Sequence, residues 1–581
     1  MTTFGRPHRG AGRSAFAYAL ALAASLAGCT VGPDYARPEL KLPERFEEGR
    51  AVGVSVSPID AATAWWESLR DPKLTELIGR ARENNLDLAE ARARVREARA
   101  ARTAAGADLF PQLGLQGAYQ RTRRSENATP PPQADGQARA RLLSGLTRNL
   151  GSPPAASAGA LTRELLSAAV NEGVQRRNAL RTPRASVEQD LYQVGLDMNW
   201  EIDVFGGTRR AVEAAEADIV AAEAGYDDVL VSLLSEVALN YVELRSAQRR
   251  LEIAAQNIAS QRESVELARS RYEAGLTSEL DVAQAEAQLA TTMSQVPSLE
   301  IDAVQAIHRL SYLLGQPPKA LAGELLAAGP IPPTPPVVPV GLPSDLVRRR
   351  PDIRRAEREL AASTARVGEA IADLFPRFSL TGAFGMQTYD FATILDWRSR
   401  VFSIGPTVRW PVFDGARIRA NIAVQDARQE QALTRYERTV LLALAEVESA
   451  LVSYERQRAR YETLRQAVAA DRRAVEISTE LYSRGLTSFL NVLESQRALF
   501  QAEDQLVQSE QAAVTSLIAL YKALGGGWAA SDVGSPTTLP ADRYVLLNVP
   551  GAESWLPAAP TLPEPQRPTT QPAPAAPPSD D

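Results

Sequence analysis

The sequence predicts a mixed α and β fold: a membrane-type β-barrel to which each chain contributes four strands, continued by a tube of very long helical hairpins. Three observations predict it. Four segments of about ten residues alternate between apolar and polar side chains. Two helical patterns, from about 208 to 274 and from 416 to 484, run through one Gly and no Pro. Each of them ends in nearly the same stretch, Gly275-Leu276-Thr277-Ser278 and Gly485-Leu486-Thr487-Ser488.

The totals narrow the function classes. The chain has 581 residues, net charge −6, one Cys and two His. One Cys cannot form an internal disulfide, and so small a Cys and His inventory excludes a clustered zinc site; no metal and no cofactor is expected. His308 stands alone in a helical run, and no nucleophile elbow accompanies it. Gly525-Gly526-Gly527 lacks the Lys and Ser or Thr of a phosphate-binding loop. Glu446 and Glu448 read as solvated or lumen-facing helix charges, not as a catalytic pair. The chain is therefore expected to have no catalytic residues and not to be an enzyme. Arg outnumbers Lys by 60 to 4, a bias of composition that carries no nucleic-acid inference.

Residues 1–28 read as a signal peptide: Arg6, Arg9 and Arg13 precede an apolar stretch from Ala15 to Leu26 that is too short to span a bilayer comfortably. It ends in Leu26-Ala27-Gly28-Cys29, the form of a bacterial lipobox, so Cys29 is the expected lipidation site. Cleavage there removes three Arg and no acid, taking the net charge from −6 to −9. Thr30, in place of Asp, favours the outer membrane. An extended segment, 29–73, follows.

The rest of the chain repeats once. Asp108-Leu109-Phe110-Pro111 matches Asp373-Leu374-Phe375-Pro376, and Trp200, Gly275 and Gly315 match Trp410, Gly485 and Gly525. The first copy spans 74–328 and the second 343–527. An insertion in the first, at about 120–190, is placed by its position as an extracellular loop. A Pro-rich connector, 329–342, joins the copies, and a Pro- and Ala-rich tail, 528–581, has too little apolar content for a core.

In the strands, Tyr192, Val194, Leu196, Met198, Trp200 and Ile202 alternate with Gln193, Gly195, Asp197, Asn199 and Glu201. Leu113 to Tyr119, Phe378 to Phe384 and Phe402 to Trp410 behave alike. A soluble sheet packed on helices alternates in the same way; the signal peptide and lipobox favour membrane. Four strands cannot close a barrel, and an open edge is not tolerated in lipid, so chains must combine. Two chains give eight strands and three give twelve; the long helices favour the wider tube.

At 1.5 Å per residue, each long helix spans on the order of 100 Å. Leu230, Leu234, Val237, Tyr241, Leu244 and Leu251 form a 3-4 seam with a gap at Gln248, repeated by Val440, Leu444, Val447, Leu451 and Tyr454. The returning helices, about 278–313 and 488–523, are half as long, leaving the segments 74–107 and 343–373 to complete the other half of the layer. Pro297 should interrupt the first returning helix. Gly275 and Gly485 are expected to cap the long helices, and the Thr and Ser hydroxyls after them to cap the next.

Together, the lipobox leading into Cys29-Thr30-Val31-Gly32-Pro33-Asp34-Tyr35, the run Arg348-Arg349-Arg350-Pro351-Asp352-Ile353 and the paired Asp-Leu-Phe-Pro motifs resemble the TolC-like outer-membrane efflux family, in its NodT-type lipoprotein branch. The resemblance covers about Cys29 to Gly527. It implies a homotrimer with a twelve-stranded barrel in the outer-membrane lipid, a periplasmic adaptor and an inner-membrane pump, usually of the resistance-nodulation-division (RND) type. It also implies that Gly275, Leu276, Thr277, Ser278, Gly485, Leu486, Thr487 and Ser488 form adaptor-facing tips. By the same resemblance Asp281, Tyr482, Asn491 and Glu494 lie at the aperture gate. Asn491 departs from the common Asp, and Thr487 stands where some members place a gate-linking Arg. Two alternatives remain: the outer channel of type I protein secretion, and a lipid-anchored coiled-coil scaffold without a pore.

Overall fold

The structure, a computed structural model, describes residues 30–47, 54–55, 59–123, 188–335, 338–339 and 342–528. The signal peptide, Cys29, most of the 120–190 insertion and nearly all of the 528–581 tail lie outside the described residues.

In chain order the elements are β1 (Val54–Ser55), a 3-10 segment (Ile59–Leu69), α1 (Pro72–Asn84), α2 (Leu86–Ala107), β2 (Gln112–Arg123) and β3 (Glu188–Ile202). Then come α3 (Gly207–Glu273), α4 (Glu279–Met293), α5 (Val296–Leu313), α6 (Ala322–Leu325) and β4 (Val338–Pro339). The second half adds α7 (Pro343–Arg349), α8 (Pro351–Ala372), β5 (Arg377–Thr388), β6 (Arg400–Arg409), α9 (Arg417–Ser483) and α10 (Phe489–Ala523). The two long helices have 67 residues each, about 100 Å at the α-helical rise.

The long helices α3 and α9 run the full length, and shorter helices fill in beside them. Near the strands, α2 and α8 pack on α3, and α8 also packs on α9. Near the tips, α4, α5 and α10 take those places, with α10 packed on both long helices. Charged pairs bridge α3 to these neighbours: Arg102 to Glu216 at 2.7 Å, Arg355 to Asp228 at 3.3 Å, Arg309 to Glu243 at 2.7 Å and Arg269 to Glu286 at 2.9 Å. The seam residues Leu230, Leu234, Val237, Tyr241 and Leu244 are buried, as are Val440, Val447, Leu451 and Tyr454. The returning helix of the first half breaks at Ser294–Gln295, so that Pro297 falls in the first turn of α5, where its missing N–H costs no bond. Asn85 likewise divides the segment 74–107, capping α2 through Leu88 N–H at 2.9 Å.

Glu446 and Glu448 are not free charges. Glu446 pairs with Arg350 at 2.7 Å, and Glu448 accepts from the Glu47 N–H at 2.8 Å. Among the described residues no helix is long and apolar enough to cross a membrane, which leaves the strands as a separate matter.

Candidate functional site

Two regions carry the chemistry, one at each end of the long helices. At the first, strands β2-β3-β5-β6 form one antiparallel sheet. The register aligns apolar with apolar across all four: Leu115, Leu196, Phe384 and Phe402 make one row, and Leu113, Met198, Gly382 and Ile404 the next. This face is open. Leu115 is 76% exposed, Leu196 49%, Phe384 47% and Phe402 75%. A soluble sheet would cover such a face with helices. The opposite face carries Asp197, Asn199, Glu201, Thr381, Ser403 and Thr407. Among the described residues, strands β2 and β6 each lack a neighbour on one side. At the foot of the sheet the indole of Trp200 donates to the Leu109 carbonyl at 2.9 Å, and Trp410 repeats this to Leu374 at 3.0 Å. The paired Asp-Leu-Phe-Pro motifs thus hold the corners where helix turns into strand.

At the other end, both long helices finish in the same cap. Gly275 (φ 69°) and Gly485 (φ 73°) are left-handed. The Gly275 N–H donates to Tyr272 at 2.9 Å and Leu276 to Arg271 at 2.8 Å; Gly485 and Leu486 repeat this to Tyr482 and Leu481 at 2.9 Å. The expected hydroxyl caps do not form: neither Ser278 nor Ser488 caps with its side chain. Both tips are exposed, so water can serve the first-turn N–H groups. The threonine hydroxyls bond sideways instead. Thr277 donates to the Asp281 carboxylate, whereas the Asn491 amide donates to the Thr487 hydroxyl at 2.5 Å. The change from carboxylate to amide reverses the bond.

The four aperture candidates separate. Asp281 and Tyr482 meet across the hairpins, the Tyr482 hydroxyl donating to Asp281 at 3.3 Å. Tyr482 is buried, its ring edge-on to Phe489 at 5.2 Å. Burial, with the Asp281 carboxylate beside it, raises its pKa above the ordinary tyrosine value. Asn491 is exposed and bonds to Thr487 instead, and Glu494, also exposed, pairs with Arg497 at 3.3 Å. Arg271 was not legible in the sequence. Its guanidinium lies 5.0 Å over the Tyr482 ring and donates to the Ser483 carbonyl at 3.0 Å. One Arg among 60 gives no signal for this role.

A family model for outer membrane efflux proteins matches residues 77–316 and 342–526. The chain belongs to the outer membrane efflux protein family. It is 30% identical over 508 residues to Nodulation protein T of Rhizobium leguminosarum bv. trifolii, covering 87% of this chain and 95% of that protein. It is 32% identical over 471 residues to the pyoverdine export outer membrane protein OpmQ of Pseudomonas aeruginosa, covering 81% and 88%. Its fold matches the outer-membrane channel OprN with a TM-score of 0.73 at 34% identity, over 86% of this chain and 100% of that one. The protein is an outer-membrane efflux channel that extends into the periplasm.

Two further features of this efflux channel escaped sequence reasoning. The first is a polar seam between the hairpins. Along one stripe of α3, Ser246 bonds to Gln511 at 2.7 Å, Arg250 to Asp504 at 2.6 Å and Asn257 to Glu503 at 3.2 Å. Gln496 then donates to Ser264 at 2.8 Å. The spacing of these α3 positions is helical, so the signal was present, but it was submerged in a chain rich in polar helix residues. The second is a clamp on the chain just before the connector. Gln248, the gap in the apolar seam, donates to the Leu325 carbonyl at 2.7 Å, and Arg245 donates to Ala327 at 2.9 Å. Arg245 stacks on Tyr241 at 4.9 Å, and the Tyr241 hydroxyl donates to Asp71 at 2.8 Å. Burial pushes the pKa of Tyr241 up to about 12.

Proposed function

We propose that three copies of the chain close a twelve-stranded barrel and act as the passive exit duct of a tripartite efflux system. Cargo would come from an inner-membrane pump of the RND type through a periplasmic adaptor. The observation that carries this reading is the four-stranded sheet with an exposed apolar face and, among the described residues, two unpaired edges. In lipid each unpaired backbone group costs several kcal/mol, so β6 of one copy must pair with β2 of the next. Three copies, unlike two, leave a lumen that the long helices can continue.

The tips Gly275 to Ser278 and Gly485 to Ser488 are the adaptor docking surface in this reading, and the contact of Asp281 with Tyr482 restrains the aperture. Asn491 and Glu494 line it without that contact. Lipidation at Cys29 is supported by where the chain emerges. Thr30 lies against Gly206 at the foot of the sheet, and the Val31 N–H donates to the Phe205 carbonyl at 3.1 Å. An acyl chain on the preceding residue would enter the membrane beside the barrel. Purified protein in planar bilayers tests the whole reading. A heat-modifiable trimer with step-like conductance is expected; a coiled-coil scaffold would give neither, and that result would refute the duct.

A further inference from the structure

At the outward end of the sheet, Arg400 stands on the apolar face. In the strand register it opposes Met386, and Phe402, two residues on, opposes Phe384. Side chains two apart share a face, so Arg400 belongs to the apolar one. It is the first residue of β6, at the end of the sheet remote from the helices. Among the described residues no carboxylate lies within ion-pair distance of Arg400 or Arg398. The other arginines on the same face near this end are neutralised: Arg121 and Arg123 meet Glu188 at 2.6 and 3.9 Å.

The turn that joins β5 to β6 is built to hold this arrangement. Its two acids bond to turn backbone and not to these arginines, Asp390 accepting from the Ala392 N–H at 3.0 Å and Asp396 from the Arg398 N–H at 2.9 Å. The Ser399 hydroxyl ties back to Thr393 at 2.8 Å. Arg400 donates to the Trp397 carbonyl at 2.8 Å, and its guanidinium lies 4.8 Å over the Trp397 ring. That leaves most of its planar fork of donors free. Around it the surface is apolar and open: Trp397 is 62% exposed and Leu395 85%. Phe391 continues it into the sheet face through Tyr192, at 5.3 Å.

An arginine set over an apolar surface, with a second arginine in the same turn, fits an amphiphile with a phosphate head. Guanidinium matches phosphate geometry bidentately, and a fork pinned on an indole loses little freedom on binding. We propose that Arg400 and Arg398 bind the phosphate of an outer-leaflet glycolipid, with Trp397 and the sheet face against its apolar part. The site rests on the lipid-facing reading of the sheet.

The test uses full-length trimer already shown to conduct, so that failure here is separable from failure of the duct. It is reconstituted into phosphatidylcholine nanodiscs containing bisphosphorylated lipid A or its dephosphorylated form, and retained lipid is counted by native mass spectrometry. Wild type should retain the phosphorylated lipid at least about tenfold better, and R398Q/R400Q should lose that preference while still conducting. R400K should keep part of it. Equal retention of both lipids by wild type, or an undiminished preference in the double variant, overturns the proposal. So does complete displacement by inorganic phosphate, which would assign the site to a free anion. If the double variant fails to assemble, the two-lipid comparison on wild type and the single variant R398Q decide.

Discussion

Replacing Tyr482 by Phe removes one hydroxyl group at the aperture. The ring stays, and with it the packing on Phe489 at 5.2 Å and the stacking under Arg271 at 5.0 Å. The hydroxyl bonds are lost, the one to Asp281, 3.3 Å long, and the one shared with Thr277. Asp281 keeps its bond from Thr277, so no carboxylate is left stranded. A hydrogen bond to a charged group contributes about 1.5–3 kcal/mol, and the length of this one places it nearer ~1 kcal/mol per protomer. If three protomers open together, the closed state loses about 3 kcal/mol, a shift of roughly a hundredfold toward open. The assay is single-channel open probability of wild-type and Y482F trimers in planar bilayers at neutral pH. An open probability within about threefold of wild type would refute the restraint, because it is less than one protomer's contact should give.

The raised pKa of Tyr482 sets a pH window for the same contact. A raised folded-state pKa means the contact is fully present below the ordinary tyrosine value, near 10, and is lost as pH climbs through the raised one. Alkaline opening should thus begin only above about pH 10 in wild type, with no such step in Y482F. Gly32 has φ 94°, and a methyl group there would collide with the backbone of Gly368. Gly32→Ala should therefore strain the N-terminal strap by about 1–3 kcal/mol and expose it to protease, read as faster nicking within 30–47. Arg245→Ala leaves the Ala327 carbonyl without its donor and should destabilise the protomer by about 1–3 kcal/mol, seen as a lower midpoint of thermal unfolding. Cys29→Ser should abolish acyl mass in mass spectrometry of the mature protein; an unchanged acylated mass would dismiss the lipid anchor.

The helices and strands were legible because their signals are periodic and local. Apolar alternation at Tyr192 to Ile202 and the uninterrupted run at 416–484 hold whatever surrounds them. Gly275 and Gly485 were legible for a related reason: a left-handed cap is a property of the backbone at one residue. The Ser278 and Ser488 caps were misjudged because an exposed helix end has water as an alternative partner.

Element order, turn positions and the polarity of each strand face could be read from the chain before any contact was known. These follow from backbone geometry and side-chain period, which neighbours in sequence fix. The packed fold adds that the apolar face of the sheet stays uncovered, that Gln248 and Arg245 hold the chain just before the connector, and that Arg271 and Asp281 converge on Tyr482. Those pairings join residues far apart in the chain, Asp281 and Tyr482 by 201 positions. Such contacts depend on where whole helices come to rest, and helix placement is set by the packing of both halves at once.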